Sequence, residues 1–223
     1  MVKIHEYGRW TVLALVLGAA AGGPAGSEGD NFSAQRALFI YDTNADLRVQ
    51  ELGVEKREQA SVYDLTFAAA AEESPVKASL VVPDGRGPFA ATLWVHWLGA
   101  PGTTNRTQHL GEAIALAPRG LISLLVDAMW AAPRWYNSRD PERDYENSIR
   151  QVVALRRALD LLASRPTVDR SRMGFVGHDY GAMYSMLMGG VDGRPKTYVY
   201  VAPANSFSDW AFFARQPKSI PAS

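Results

Sequence analysis

Residues 173–181, Met173-Gly174-Phe175-Val176-Gly177-His178-Asp179-Tyr180-Gly181, decide the fold of this chain. A short apolar run enters a Gly-x-x-x-Gly turn, and the residues after Tyr180 read as a helix. A strand that turns sharply into a helix, with glycine at both positions where the turn leaves no room for a side chain, is a nucleophile elbow. Such an elbow holds its central side chain up at the mouth of a parallel sheet. Serine usually stands there; this chain has Asp179. A carboxylate attacks carbon with no proton to remove, so this one residue changes the chemistry available. The structural alternative is an aspartate that caps the helix opening at Tyr180.

The flanking sequence supplies the sheet that the elbow needs. Residues 62–69 and 76–82 are short strand-like runs separated by Glu72-Glu73-Ser74-Pro75, which predicts a hairpin. After the turn at 84–88 comes a strand over 91–98, then a loop rich in glycine, proline and threonine. Residues 106–117 read as a helix stopped by Pro118 and Gly120, and residues 121–126 (LISLLV) as a strand covered on both faces. Asp140-Pro141-Glu142 is a helix start, with Tyr145, Ile149, Val152, Leu155, Leu159 and Leu162 at helical spacing behind it. Arg143, Glu146, Arg150 and Arg157 fall on the other faces. The elbow helix is expected over 180–188, ended by Gly189-Gly190, with one more strand over 197–202. The pattern is α/β: a mostly parallel sheet with an N-terminal hairpin and helices on both faces. Chemistry is then expected in the loops after residues 98, 126, 178 and 202, at the carboxyl ends of the strands.

Bulk properties narrow the function. Basic and acidic residues balance at 23 each, so no global charge attracts nucleic acid or an anionic membrane. With no cysteine and four histidines, neither a zinc nor an iron–sulfur site is expected, and no cofactor motif is present. At the N-terminus, Lys3 and Arg9 precede an uncharged apolar run over 11–21, and small residues follow. That is the pattern of a secretory signal peptide, and the run is too short to span a bilayer, which takes ~20 residues. The chain therefore divides into a signal peptide (1–26), an N-terminal extension (27–60) and the α/β domain (61–223), with export to the periplasm or outside the cell.

The element order, the elbow, the His96-Trp97-Leu98-Gly99 turn and the stretch 168–178 (VDRSRMGFVGH) resemble the α/β-hydrolase superfamily, in particular its dienelactone-hydrolase-like esterases. The resemblance covers about residues 61–210. Gly-His-Asp-aromatic-Gly is instead similar to epoxide hydrolases and haloalkane dehalogenases, whose elbow nucleophile is aspartate. What the resemblance implies is a hydrolase of an ester or other small organic substrate, with Asp179 as nucleophile. The backbone N–H groups of Tyr180 and Trp97 would form the oxyanion hole. Trp97 stands where relatives usually have glycine, so its ring would narrow the pocket. Trp130 and Trp135 would line an apolar substrate site or offer N–H groups to a halide.

An ester on Asp179 has to be hydrolysed by an activated water, and the family places the histidine for this after its last strand. No histidine follows His178 here, so the domain is expected to lack its last strands and the activity to be impaired. Among supporting residues, His96 at a neighbouring strand end is the better base, His178 points toward packing or a second bond, and Asp209 follows the last strand. His109 reads as a helix-face residue. An open sheet edge would result, and a homodimer would cover it. Two other readings stand beside this one. The first is a non-catalytic hydrolase-fold binding protein; the second is an esterase using a serine such as Ser185, although no Gly-x-Ser-x-Gly occurs.

Overall fold

The computed structural model describes residues 28–70, 74–99 and 104–204. The signal-peptide segment and the tail that carries Asp209 lie outside the described residues. Helix α1 (Glu28–Ala37) leads to strands β1 (Gln50–Lys56), β2 (Ala60–Phe67), β3 (Val76–Pro83) and β4 (Phe89–Val95). Helix α2 (Leu110–Leu116), β5 (Leu121–Val126), the one-turn α3 (Trp135–Ser138) and α4 (Asp144–Ser164) follow. The last elements are β6 (Val168–His178), α5 (Tyr180–Val191) and β7 (Thr197–Val201).

All seven strands form one sheet in the order β1-β2-β3-β5-β4-β6-β7. β1 to β3 pair antiparallel, and β3 meets β5 antiparallel. From β5 through β4, β6 and β7 the pairing is parallel. The hairpin read from 62–82 is therefore present, and the sheet continues past it into β1, inside the stretch read as an extension. The crossover from β4 to β5 runs one way along the sheet, while those from β5 to β6 and from β6 to β7 run the other. Parallel crossovers are right-handed, so this reversal puts α2 on one face and α4 and α5 on the opposite one. Two cores result. Leu93, Val95, Phe175, Leu155 and Tyr184 belong to the α4/α5 side, and Trp94, Leu125 and Ala113 to the α2 side.

Local chemistry explains the element ends. The Asp140 side chain accepts the Glu142 N–H at 3.1 Å, and Pro141 opens the turn that leads into α4. Val152, Leu155, Leu159 and Leu162 are buried as their spacing predicts. Tyr145, placed in the same apolar series, is instead 66% exposed. Arg157, placed on an outer face, is 2% exposed: its guanidinium bonds Asp160 and the Ala45 carbonyl, at 3.1 and 2.7 Å. Helix α2 starts at Leu110, later than expected, because residues 105–108 form Asx-type turns on the Asn105 side chain. Gly189 and Gly190 do not end α5, which runs on to Val191. A Cβ at Gly189 would sit 3.4 Å from the Tyr198 ring, so this glycine serves close helix–strand packing.

The segment ahead of β1 is tied to the domain by charge. Arg156 bonds Asp192 at 3.0 Å and the Phe39 carbonyl at 2.6 Å, and its guanidinium lies 4.7 Å from the centre of the Tyr41 ring. Arg194 bonds both oxygens of Asp192 and also Asp160, which accepts from the Tyr41 hydroxyl.

Candidate functional site

Parallel register sets Val95 of β4 beside Val126 of β5 and beside Gly177 of β6, so three strand ends lie level. Asp179 is the first residue past β6, with φ 53° and ψ −110°. That conformation is strained for a non-glycine residue and persists only where the surroundings impose it. Here they do. The Asp179 N–H donates to the Val201 carbonyl at 2.8 Å, and its own carbonyl accepts from Met183 N–H at 3.0 Å. A Cβ at Gly177 would lie 2.3 Å from the Gly181 oxygen, and one at Gly181 would lie 2.3 Å from the Val95 oxygen. Backbone thus meets backbone, with no flexible side chain able to give way. Gly177→Ala and Gly181→Ala are each expected to cost about 3 kcal/mol or more, as severe overpacking does. Thermal melts and soluble yield check this; a wild-type melting temperature in either variant would contradict the elbow geometry.

The Asp179 carboxylate is held by Leu98, whose N–H donates to Oδ2 at 3.2 Å, and the neighbouring Tyr180 N–H also favours its ionised form. Burial raises the carboxyl above its usual range, and these two donors only partly offset that. The backbone donor that reaches Asp179 from the loop after β4 is therefore Leu98. Trp97, expected in that role, has its N–H engaged by Gln108 Oε1 at 2.9 Å.

The shift by one residue follows from how the loop after β4 is pinned. The Trp97 carbonyl accepts three side-chain bonds: from His96 Nδ1 at 2.9 Å, Thr104 Oγ at 2.9 Å and Trp130 Nε1 at 3.1 Å. Fixing that carbonyl turns the next N–H, that of Leu98, toward Asp179. The expectation that Trp130 offers its N–H to a halide is corrected by the same bond. Trp130 is instead a buried hub, edge-on to Tyr180 and Trp135.

His96 has no nitrogen free to act as a base toward Asp179. Its Nε2 accepts the Ala128 N–H at 3.1 Å while its Nδ1–H donates to Trp97, so both nitrogens are engaged by backbone. This locks the loops after β4 and β5 together. Burial pushes its pKa down to about 4. The folded value lies below the ordinary 6.5, so stability present at pH 7 is lost as pH falls through the window from 6.5 to 4. The expected loss is about 3 kcal/mol at most. His96→Gln, which cannot gain that charge, should show a flatter melting-temperature profile across the window. An identical profile would remove His96 from the account.

His178 lies against Trp97, with ring centroids 5.3 Å apart and planes 10° from parallel. Because Gln108 Oε1 accepts the Trp97 N–H, its Nε2 is the donor to His178 Nδ1 at 2.9 Å. That fixes the proton of a neutral His178 on Nε2. His109 is not on an open helix face: it precedes α2, half-buried beside the Trp94 ring with Nε2 out of solvent. Ser185 is fully buried and donates to the Ala182 carbonyl at 2.7 Å, which removes it as a nucleophile. Sequence reasoning missed Leu98, Gln108 and Thr104. The first acts through its backbone, and the other two carry polar side chains that nothing in the sequence distinguishes.

No protein-family model matches this chain, and no curated protein sequence does either. Solved structures do. An acetyl xylan esterase from Paenibacillus sp. R4 superposes with a TM-score of 0.58 at 21% identity, over 78% of this chain and 58% of that one. The acetyl xylan esterase 1 of Thermoanaerobacterium sp. JW/SL YS485 gives 0.60 at 14%, over 77% and 57%. A glucuronoyl esterase from Solibacter usitatus gives 0.55 at 15%, over 75% and 56%. With the sheet order and the elbow, these define an α/β-hydrolase fold. The chain spans a little over half the length of these three structures.

Proposed function

We propose that this chain carries the nucleophilic part of a hydrolase site, in which Asp179 attacks an electrophilic carbon of a small organic substrate. The observation that supports it is the Leu98 N–H holding Asp179 Oδ2 at 3.2 Å, beside the Tyr180 N–H at the start of α5. With one oxygen held, the other is the attacking atom. It forms a C–O bond while a carbon–halogen bond or an epoxide C–O bond breaks. The halide leaves with its electron pair, or the epoxide oxygen becomes an alkoxide and takes a proton from solvent. Release needs water to add to the Asp179 carboxyl carbon, and the two N–H groups would stabilise the oxyanion that forms. The esterases that share the fold support hydrolytic chemistry on esters and related small substrates.

Among the described residues no histidine offers Asp179 a free acceptor nitrogen. His96 is engaged at both nitrogens, His178 Nδ1 is taken by Gln108, and His109 Nε2 is buried beside Trp94. Capture of the electrophile is then faster than release. Incubation with a small epoxide or a haloalkane, followed by intact-mass measurement, should give one persistent adduct located on the peptide containing Asp179. No adduct with either reagent would end the nucleophile reading.

One observation favours a second reading, a non-catalytic binding protein of the same fold. The Asp179 carboxylate itself sits on the donors that a substrate oxygen would otherwise occupy. That reading expects no adduct, together with ligand-induced thermal stabilisation that survives Asp179→Asn.

A further inference from the structure

A column of aromatic rings runs from the core to the surface at Trp97. Trp94 of β4, 8% exposed, lies 5.5 Å from the half-buried His109, centroid to centroid. His109 lies 5.8 Å from His178, and His178 lies 5.3 Å from Trp97 with the planes 10° from parallel. All of these spacings are those of interacting aromatic pairs. Trp97 ends the column at 40% exposure, and among the described residues no ring besides His178 stacks on it.

The end ring is held in place before any ligand arrives. Trp97 N–H donates to Gln108, and its carbonyl accepts from His96, Thr104 and Trp130. Gln108 also bonds His178, the ring partner of Trp97. An indole so ordered loses little further freedom when a ligand packs on it. A single exposed aromatic needs no explanation in itself, but one fixed through both backbone groups and a ring stack is a platform. It is also tied to Asp179 twice. Leu98, next in the chain, donates to Asp179 Oδ2, and His178 immediately precedes Asp179.

The platform's own packing points to its ligand. An aryl ring would continue the column in the near-parallel geometry that Trp97 already makes with His178, whereas a saturated ring gains apolar contact alone. We propose that Trp97 binds an aromatic ring of the ligand. The electrophile presented to Asp179 is then aryl-bearing, a step that rests on the nucleophilic reading of Asp179.

2-Benzyloxirane and 2-(cyclohexylmethyl)oxirane carry the same epoxide beside a flat and a saturated ring. Their rates of adduct formation on the full chain, read by intact mass, are divided by their rates with acetate in buffer. The benzyl compound should be favoured about fivefold, the size of one aromatic pair. The saturated ring is the more hydrophobic, so burial alone would give the opposite order. Trp97→Leu should bring the ratio to about one, and Trp97→Phe should restore most of it. A merely structural defect would slow both reagents alike. The ring-opened forms, 3-phenylpropane-1,2-diol and 3-cyclohexylpropane-1,2-diol, report binding without the chemistry, by calorimetry and saturation-transfer NMR. The phenyl diol should bind more tightly, and Trp97→Leu should abolish the difference. That result without an adduct from either epoxide would support the ring site while ending the Asp179 reading. Equal capture of the two epoxides, equal binding of the two diols, no binding of the phenyl diol, or a preference that survives Trp97→Leu would overturn the proposal.

Discussion

Asp179→Asn should abolish covalent capture of an epoxide or haloalkane, slowing adduct formation by about 10⁴-fold or more, as loss of a nucleophile does. An amide oxygen can still accept from Leu98 N–H, so the elbow should survive the change. Stability gives an independent readout. Burial, only partly offset by the Leu98 and Tyr180 N–H groups, raises the Asp179 carboxyl above the ordinary 3.8. The folded state then binds the proton more tightly than the unfolded chain does. Wild-type stability therefore falls as pH rises from 3.8 through the raised folded value. The asparagine variant lacks this slope. At neutral pH it should melt at the same temperature as wild type or higher, measured by thermal melts from pH 3 to 8. Undiminished labelling with a lower melting temperature would mean that Asp179 is a structural cap.

Asp192→Ala should be the most destabilising change away from the elbow. Asp192 has a side chain 3% exposed and accepts from Arg156 and Arg194 together. Burial works to raise its carboxyl, but the adjacent Arg194 outweighs that and, with Arg156, holds it below the ordinary value. Removing the carboxylate leaves two guanidinium groups partly buried without it. Breaking such a pair costs about 3–5 kcal/mol, a fall in Tm on the order of 10 °C for a domain of this size. The sign of the pH dependence is opposite to that of Asp179. The contribution is complete above 3.8 and is lost as pH falls through the depressed folded value. Chemical denaturation of both proteins at pH 7 and pH 3 checks it: the gap between them should narrow at the lower pH. A gap below about 1 kcal/mol at pH 7, the range of a surface pair, would show that the cluster is not cooperative.

The same cluster explains why the extension before β1 was read as separate. Phe39, Tyr41 and Ala45 show no strand or helix period, and their attachment runs through Arg156, Arg157 and Arg194. Arginines at those positions look like an exposed helix face and a turn until the chain has folded. Residue Tyr145 errs the other way, apolar in pattern yet exposed. Periodicity assigns a face, but only the neighbouring element decides whether that face is covered.

Determined by the sequence alone were the α/β order, the hairpin, the capped start of α4, and the elbow with Asp179 at its centre. These are local: glycine spacing, apolar runs and cap residues act within a few positions, and steric exclusion at Gly177 and Gly181 leaves little choice. The partners of Asp179 were decided by tertiary structure. Leu98 replaced Trp97 as donor because Trp130, 33 residues away, joins the local His96 and Thr104 on one carbonyl and sets the loop's register. His96 became a locking residue because two backbone groups meet its ring. Backbone donors carry no side-chain signature, and where they point depends on contacts that exist only once the strands are side by side.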